Sequence, residues 1–349
     1  MLTAQRSQMK KAQLMNRVNR DVLLHALRTT SQARTTLSFY KYHYIENPEI
    51  LRNELYLKLD ALQIKGRVYI AHEGINAQIS IPNNLLETLT ETLYSYTCLN
   101  NVRLNVAIDD GKSFFKLTIK VKDKIVADGL NDATFDASDT GTHLDAPEFN
   151  KLTDDSNTIL VDMRNHYESE VGYFDGAIRP DAETFQEEIK LVEDIIRGKE
   201  DKNIVMYCTG GIRCEKASAW FKHKGFKNMF QLKGGIITYA QQVRTTNERN
   251  KFKGINFVFD ERLGERISDD IVSQCHQCQK SADTHRNCVN DGCNLLFIQC
   301  DTCFEKTQGC CSQRCFDFIQ LPKEEQKLLR KTMQPAGKSN KKRRVLNDE

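Results

Sequence analysis

The chain has no apolar run approaching the roughly 20 residues needed to span a bilayer, and its mean hydropathy is −0.55. Its opening residues, Met1 to Lys10, contain no apolar signal region. Neither membrane insertion nor export is expected, and the chain is read as cytoplasmic. No internal repeat is evident, so nothing indicates a repeat architecture. Net charge is also small, at +3, but it is unevenly placed. Residues 1–35 carry +6 and residues 321–349 carry +5, which leaves −8 on residues 36–320. An acidic body with two basic ends suits arms that hold a polyanion, and the run Lys341–Arg344 is the densest part. A solvated tail without a specific partner is the alternative reading of such a run.

Cysteine, by contrast, is plentiful, with twelve in 349 residues. In a cytoplasmic chain these are better read as metal ligands and reactive thiols than as a disulfide framework. The length suggests two or three domains. Four closely spaced pairs stand near the C-terminus: Cys275/Cys278, Cys288/Cys293, Cys300/Cys303 and Cys311/Cys315. Such pairs place two thiolates at chelating distance, and two pairs complete one four-thiolate zinc site, so eight cysteines predict two structural zinc ions. Alternating pairing would make a cross-brace and sequential pairing two consecutive knuckles. Both remain open on spacing, as does an iron–sulfur cluster, while His276, His285 and Cys310 are possible substitutes for a named ligand.

The segment Met206-Tyr-Cys208-Thr-Gly-Gly-Ile-Arg213-Cys214 has a different character. Ile204–Tyr207 reads as a buried strand and Lys216–Phe221 as a helix, so Cys208 opens a strand-to-helix turn. Gly210 and Gly211 let the loop curl with its N–H groups inward, and Arg213 with the helix N-terminus adds positive potential. That combination lowers a thiol pKa and binds anions. Cys208 and Arg213 are therefore the catalytic candidates, with Thr209, Gly210, Gly211 and Ile212 as the anion cradle. A phosphatase loop of the Cys-x5-Arg type needs arginine at 214, which is Cys214 here, and the tighter six-residue ring suits a smaller atom such as a persulfide sulfur. Cys214 is a secondary candidate as a resolving thiol, with simple packing as its alternative. Glu215 is a candidate for proton handling.

Upstream, Leu37–Tyr42, Gly66–Ala71, Asn76–Ile81 and Phe114–Val121 read as strands, with helices over 48–62 and 83–96, and a basic helix is expected over 5–30. The order β-α-β-β-α-β is that of a ferredoxin-like sandwich. Between its second and third strands lies the polar hairpin Ala71-His72-Glu73-Gly74-Ile75-Asn76-Ala77, in which Gly74 permits a positive φ.

The cysteine loop resembles that of the rhodanese family, and so does the stretch Asp162-Met-Arg164, Glu168, Gly172-Tyr-Phe-Asp-Gly-Ala-Ile178, with Tyr173 where that family usually has histidine. Gln231-Leu-Lys-Gly-Gly235 matches its last strand-to-helix turn. Asp162 and Arg164 are expected to brace the loop as a structural pair. The hairpin, the Lys122–Val126 segment, Gly141–Asn150, the Asp162–Glu168 stretch and the cysteine-rich tail, in that order, resemble one bacterial group. These are the rhodanese-domain tRNA uridine hydroxylases, and the similarity covers residues 36–320.

The resemblance implies an α/β, multidomain chain: a basic arm over 1–35, a ferredoxin-like (acylphosphatase-like) domain over 36–130, a rhodanese domain with a parallel sheet over 145–247, a metal-binding segment over 270–320 and a basic tail over 321–349. It implies hydroxylation of uridine 34 in the tRNA anticodon loop, with molecular oxygen as co-substrate and no organic cofactor. It also makes His72, Glu73 and Asn76 candidate substrate-binding residues, provided the N-terminal domain folds over the cysteine loop. A rhodanese loop alone predicts sulfur transfer. The alternatives are accordingly a persulfide sulfurtransferase and a non-catalytic tRNA-binding protein.

Overall fold

The structure is a computed structural model that describes residues 14, 16, 18–108, 112–132 and 134–330. The run Lys341–Arg344, and residues 5–13, 15 and 17 of the helix expected over 5–30, lie outside the described residues. Within that span α1 (Arg20–Thr29) forms, its first turn capped by the Asn19 side chain, which accepts from the Asp21 N–H at 2.7 Å.

The N-terminal sheet contains β1 (Arg34–Tyr42), followed by α2 (Pro48–Ala61), β2 (Lys65–Ala71), β3 (Gly74–Pro82), α3 (Leu86–Tyr94), β4 (Asn105–Val106) and β5 (Leu117–Val121), in the spatial order β4-β1-β3-β2-β5. This is the expected two-helix sandwich with one difference. The strand expected over 114–121 begins at Leu117 and pairs parallel with β2, whereas an unanticipated two-residue β4 pairs with β1 at the opposite edge. A strand of two residues is too short to leave an alternation in the sequence.

Successive strand residues face opposite sides of a sheet. Leu37, Phe39, Val68, Ile70, Ile75 and Ile79 therefore share one buried face, packed on Leu51, Leu55 and Leu59 of α2 and Leu89 and Leu93 of α3. Each such burial contributes roughly 1.5–3 kcal/mol. The alternate positions Ser38, Tyr40, Arg67, Tyr69, Asn76 and Gln78 make a polar face that is nevertheless half-buried. Something other than solvent covers it.

The central region runs β6 (Thr142–Leu144), α4 (Ala146–Thr153), β7 (Thr158–Asp162), α5 (His166–Ser169), β8 (Gly172–Phe174), α6 (Phe185–Ile196), β9 (Asn203–Tyr207), α7 (Ile212–His223), β10 (Met229–Leu232) and α8 (Gly235–Thr246). Its sheet, ordered β6-β10-β9-β7, is wholly parallel. Ile204 and Met206 of β9 pack against α6 and α7, and Val205 and Tyr207 against α4 and α8, so both faces are covered. Strand β8 leaves this sheet to pair with β11 (Phe252–Asn256), which also takes β12 (Glu265–Arg266).

The cysteine-rich segment is a small hairpin of β13 (His285–Asn287) and β14 (Leu296–Ile298), followed by the short helices α9 (Asp301–Thr307), α10 (Gln313–Gln320) and α11 (Lys323–Arg330). Among the described residues no helix is long and apolar enough to cross a membrane.

Candidate active site

Cys208 sits immediately after β9, and α7 begins at Ile212, inside the six-residue ring rather than after it. The early helix start brings more N–H groups to bear on the sulfur. Sγ accepts the Gly211 N–H at 3.1 Å, and Gly211 holds a φ of +100°, a conformation that favours glycine. From the opposite side, the Gly234-Gly235 turn pins the loop: the Ile236 N–H donates to the Cys208 carbonyl at 3.0 Å and the Ile237 N–H to that of Thr209 at 3.3 Å. A Cβ on Gly235 would come within 2.5 Å of the Cys208 carbonyl oxygen, so only glycine lets the two turns approach this closely. With its carbonyls held outward, the loop has its N–H groups free for an anion.

Burial pushes the Cys208 thiol up. The Cys214 S–H, the Arg213 charge and the N–H groups of Cys214 and Arg213 outweigh that and bring it down to about 6. The shift favours the thiolate of Cys208 at neutral pH. Cys214, fully buried, is pushed well above the usual thiol range, first by burial and then by its hydrogen bond to Cys208. Arg213 does not float in the loop. Glu168 of α5, itself fully buried, clamps it with two bonds at 2.6 and 2.9 Å, and Thr209 Oγ1 reaches the same carboxylate at 3.4 Å. Beneath the loop, Arg164 and Asp162 form the expected buried pair (2.8 and 2.7 Å), joined by the Tyr207 hydroxyl at 2.8 Å. Arg164 also donates to the Gly172 carbonyl at 2.7 Å, tying β7 to β8.

What covers the polar face of the N-terminal sheet is this cysteine loop. Between them lies a cavity of about 330 Å³. Its sheet wall carries Ser38, Tyr40, Arg67, Tyr69, Asn76 and Gln78, and its floor carries Cys208, Thr209, Gly210, Ile212 and Arg213. A third side comes from the strap after β11, with Val258, Phe259, Asp260 and Arg262. Phe259 is 45% exposed and stands edge-on to Phe257 and Tyr167. A volume of this size accommodates a pyrimidine ring.

The lid is fastened by contacts to α7. Tyr40 donates to Glu215 at 2.9 Å, Tyr42 donates to the Ile212 carbonyl at 3.4 Å, and Lys216 pairs with Glu73 and, at 3.0 Å, with Asp128. Glu215 stays below the usual carboxyl range despite its burial, because His143 (2.9 Å), Gln231 and Tyr40 surround it with donors. Its carboxylate holds the lid, and it does not line the cavity.

The hairpin candidates separate. Asn76 lines the cavity, Glu73 accepts from Lys216 and from the Ile125 N–H, and His72 is exposed, its Nδ1 2.9 Å from the Ile45 carbonyl. Neither Glu73 nor His72 is among the cavity-lining residues. Sequence reasoning missed Tyr40, Arg67, Tyr69, Gln78 and the 258–262 strap. The signal for the first four was present as polar side chains alternating with apolar ones on three consecutive strands, a pattern equally suited to a solvated face.

In the cysteine-rich segment the alternating combination holds. Cys275, Cys278, Cys300 and Cys303 converge, as do Cys288, Cys293, Cys311 and Cys315, with all sulfurs of a set within 4.8 Å of one another. Neighbouring sulfurs at 3.6 Å (Cys278 and Cys300; Cys293 and Cys311) and 3.8 Å (Cys311 and Cys315) match the edge of about 3.8 Å implied by tetrahedral Zn–S bonds of 2.3 Å. Cys310, His276 and His285 belong to neither set. His276 contacts Glu170 at 2.9 Å, which joins the first set to the central region, and burial lowers His285 to about 4. Cys275 and Ile298 pack with Phe257, so this segment backs the strap that walls the cavity.

Three family descriptions match the chain: "UPF0176 acylphosphatase like domain" over residues 34–125, "Rhodanese-like domain" over 145–242 and "Rhodanase C-terminal" over 253–316. A protein of Enterobacter sp. (strain 638) named tRNA uridine(34) hydroxylase is 51% identical over 329 residues, covering 94% of this chain and 93% of its own. Relatives of the same name from Salmonella typhimurium (53% identical, 88% of this chain and 89% of theirs) and Leptospira interrogans (50%, 97% and 91%) are similarly close.

Proposed function

Because this chain belongs to the tRNA uridine(34) hydroxylase family, we propose that it hydroxylates the wobble uridine of tRNA, with Cys208 as the reacting sulfur in the cavity beneath the N-terminal sheet. The observation that carries the reading is identity of about 50% along nearly the whole chain. The geometry suits it. A base that must be modified on its ring leaves the stack and enters a pocket, and a single-stranded anticodon loop lets it do so at low cost. The cavity offers such a pocket, with an exposed aromatic ring, Phe259, at its edge.

In this reading Cys208 is present as thiolate, and the loop N–H groups with Arg213 stabilise negative charge on sulfur or on a substrate atom bound there. Glu168 is a positioning residue that holds the guanidinium in place. Cys214 acts through its S–H on the Cys208 sulfur, and Glu215, Glu73 and Lys216 hold the lid. Hydroxylation inserts one oxygen atom; with molecular oxygen as the proposed co-substrate, the other atom leaves as water, with two electrons supplied by an external donor and two protons taken from solvent. The two four-cysteine sets fit zinc, held by Cys275, Cys278, Cys300 and Cys303 and by Cys288, Cys293, Cys311 and Cys315, where it would supply structural cross-links. The anticodon loop is the proposed docking element, and the cytoplasm the proposed site of action.

Nucleoside mass spectrometry of tRNA from a strain lacking the protein tests the reading. Loss of 5-hydroxyuridine and its derivatives, restored by the intact gene only in the presence of oxygen, is expected. Loss of thiolated nucleosides instead would assign sulfur transfer, and an unchanged nucleoside profile would leave a tRNA-binding protein without this activity.

A further inference from the structure

The sheet wall of the cavity is arranged in cross-strand rows. Ser38, Gln78 and Arg67 lie side by side on β1, β3 and β2, and Tyr40, Asn76 and Tyr69 form the next row. Gln78 is thus at the middle of the wall. Its Nε2 donates to Asn76 Oδ1 at 2.7 Å, and Asn76 Nδ2 donates in turn to the backbone carbonyl of Ile125 at 3.4 Å. A backbone carbonyl can only accept, so this contact favours the Asn76 orientation in which the amide oxygen faces Gln78. The Gln78 amide is polarised by the same relay. Its Oε1 has no protein partner among the described residues, and one N–H of Nε2 remains. The Ile125 end is held as well, because its N–H donates to Glu73 Oε1 at 2.9 Å and Glu73 is paired with Lys216.

The reacting centre lies on the opposite wall. In a pyrimidine, N3 is diametrically across the ring from C6 and next but one to C5. A ring that turns its C5–C6 edge to Cys208 therefore turns N3 and a neighbouring carbonyl toward the sheet. Uracil presents a donor at N3 and an acceptor beside it, whereas cytosine presents an acceptor at N3.

On the reading of this site as a uridine hydroxylase, on which this inference rests, we propose that Gln78 is the specificity-determining residue for uracil. Its Oε1 accepts N3–H and its remaining Nε2–H donates to the adjacent carbonyl. The Asn76–Ile125 relay favours this polarity. Cytosine in the same pose sets acceptor against acceptor at N3, and a polar pair left unmatched in a closed site is strongly rejected.

The test uses the full chain and anticodon stem-loop RNAs carrying uridine, 3-methyluridine or cytidine at position 34, with affinity read by fluorescence anisotropy. The native protein is expected to prefer uridine to either analogue by about tenfold or more, the scale of one good bidentate base contact. Gln78→Leu should bind the uridine RNA as weakly as native protein binds 3-methyluridine and should no longer distinguish the two. Asn76→Ala frees the Gln78 amide to turn over, so its preference for uridine over cytidine should collapse toward one while uridine binding falls less. Circular dichroism confirms that both variants fold. A Gln78→Leu protein that keeps the native preference for uridine over 3-methyluridine overturns the assignment, as does a native protein with no such preference. If tRNA from the deletion strain keeps its 5-hydroxyuridine derivatives, the hydroxylase reading itself fails and the assignment with it. Loss of those derivatives in the deletion strain together with an unaltered preference in Gln78→Leu sinks only the assignment.

Discussion

Lys216, on the helix that begins inside the cysteine loop, pairs with Glu73 at the turn between β2 and β3, and its own side chain is only 3% exposed. The contact joins the N-terminal sheet to the element that carries the candidate active site. With the Tyr40–Glu215 bond it fastens one wall of the cavity to the other. Lys216→Met removes the ammonium while keeping the apolar stem, and it leaves the buried Asp128 with Lys124 as its remaining cation. The expected cost is about 1–3 kcal/mol of stability, with faster proteolysis between the N-terminal and central regions and reduced tRNA modification. A melting curve and limited proteolysis check this. An unchanged cleavage pattern would show that the lid is held by other contacts.

Cys208→Ser is nearly isosteric and should abolish modification with the fold intact, since a serine hydroxyl does not ionise in this loop at neutral pH. Full complementation by the serine variant in the deletion strain would refute the role. Cys214→Ser keeps a donor beside Cys208 and should cause a milder loss. Complete inactivation of a folded Cys214→Ser protein would argue instead for a disulfide step between the two.

The pH dependence follows from the direction of the Cys208 shift. Its thiol is lowered to about 6, so the thiolate dominates above that pH and is lost as pH falls through it. Alkylation of the cysteine in the cavity should therefore rise through about pH 6 and then level off. Glu168→Gln loosens the clamp on Arg213 and should move that midpoint upward, toward the ordinary thiol range. Rate measurements with iodoacetamide across pH, followed by peptide mass spectrometry at Cys208, check both.

The paired cysteines should hold about two zinc ions per chain. Because the sets interleave, Cys278→Ala and Cys303→Ala should each lose the same ion, and Cys288→Ala the other. A strong chelator should unfold this segment and lower activity, because Phe257 of the cavity strap packs against it. Elemental analysis decides the metal. Iron with labile sulfide would replace zinc by a cluster, and fully active metal-free protein would remove the requirement.

Deleting Lys341–Arg344 should weaken tRNA binding and flatten its salt dependence, because each lost phosphate contact removes about 0.7–0.9 from the log–log slope. Titrations at several salt concentrations provide the check, and an unchanged slope would assign those four residues to a solvated tail.

The sequence by itself determined what depends on neighbours along the chain. The six-residue spacing from Cys208 to Arg213, the apolar strand before it and the glycines within it specify a thiolate loop through local backbone geometry. The short cysteine pairs bring sulfurs to chelating distance for the same reason. The alternation on β1 to β3 predicted the sandwich, because period-2 burial is a property of each strand alone. The two-residue β4 escaped because it has no period to read. Tertiary structure alone decided which faces meet. The pairing of cysteine sets across intervening residues, the clamp of Glu168 on Arg213 and the placing of Gln78 and Cys208 on one cavity all join residues far apart in the chain. In sequence, a polar sheet face that waits for a catalytic loop has the same composition as one that faces water. What distinguishes them is the burial of that face under another part of the chain, and Tyr40, Glu73 and Lys216 bring it about through contacts that no local pattern encodes.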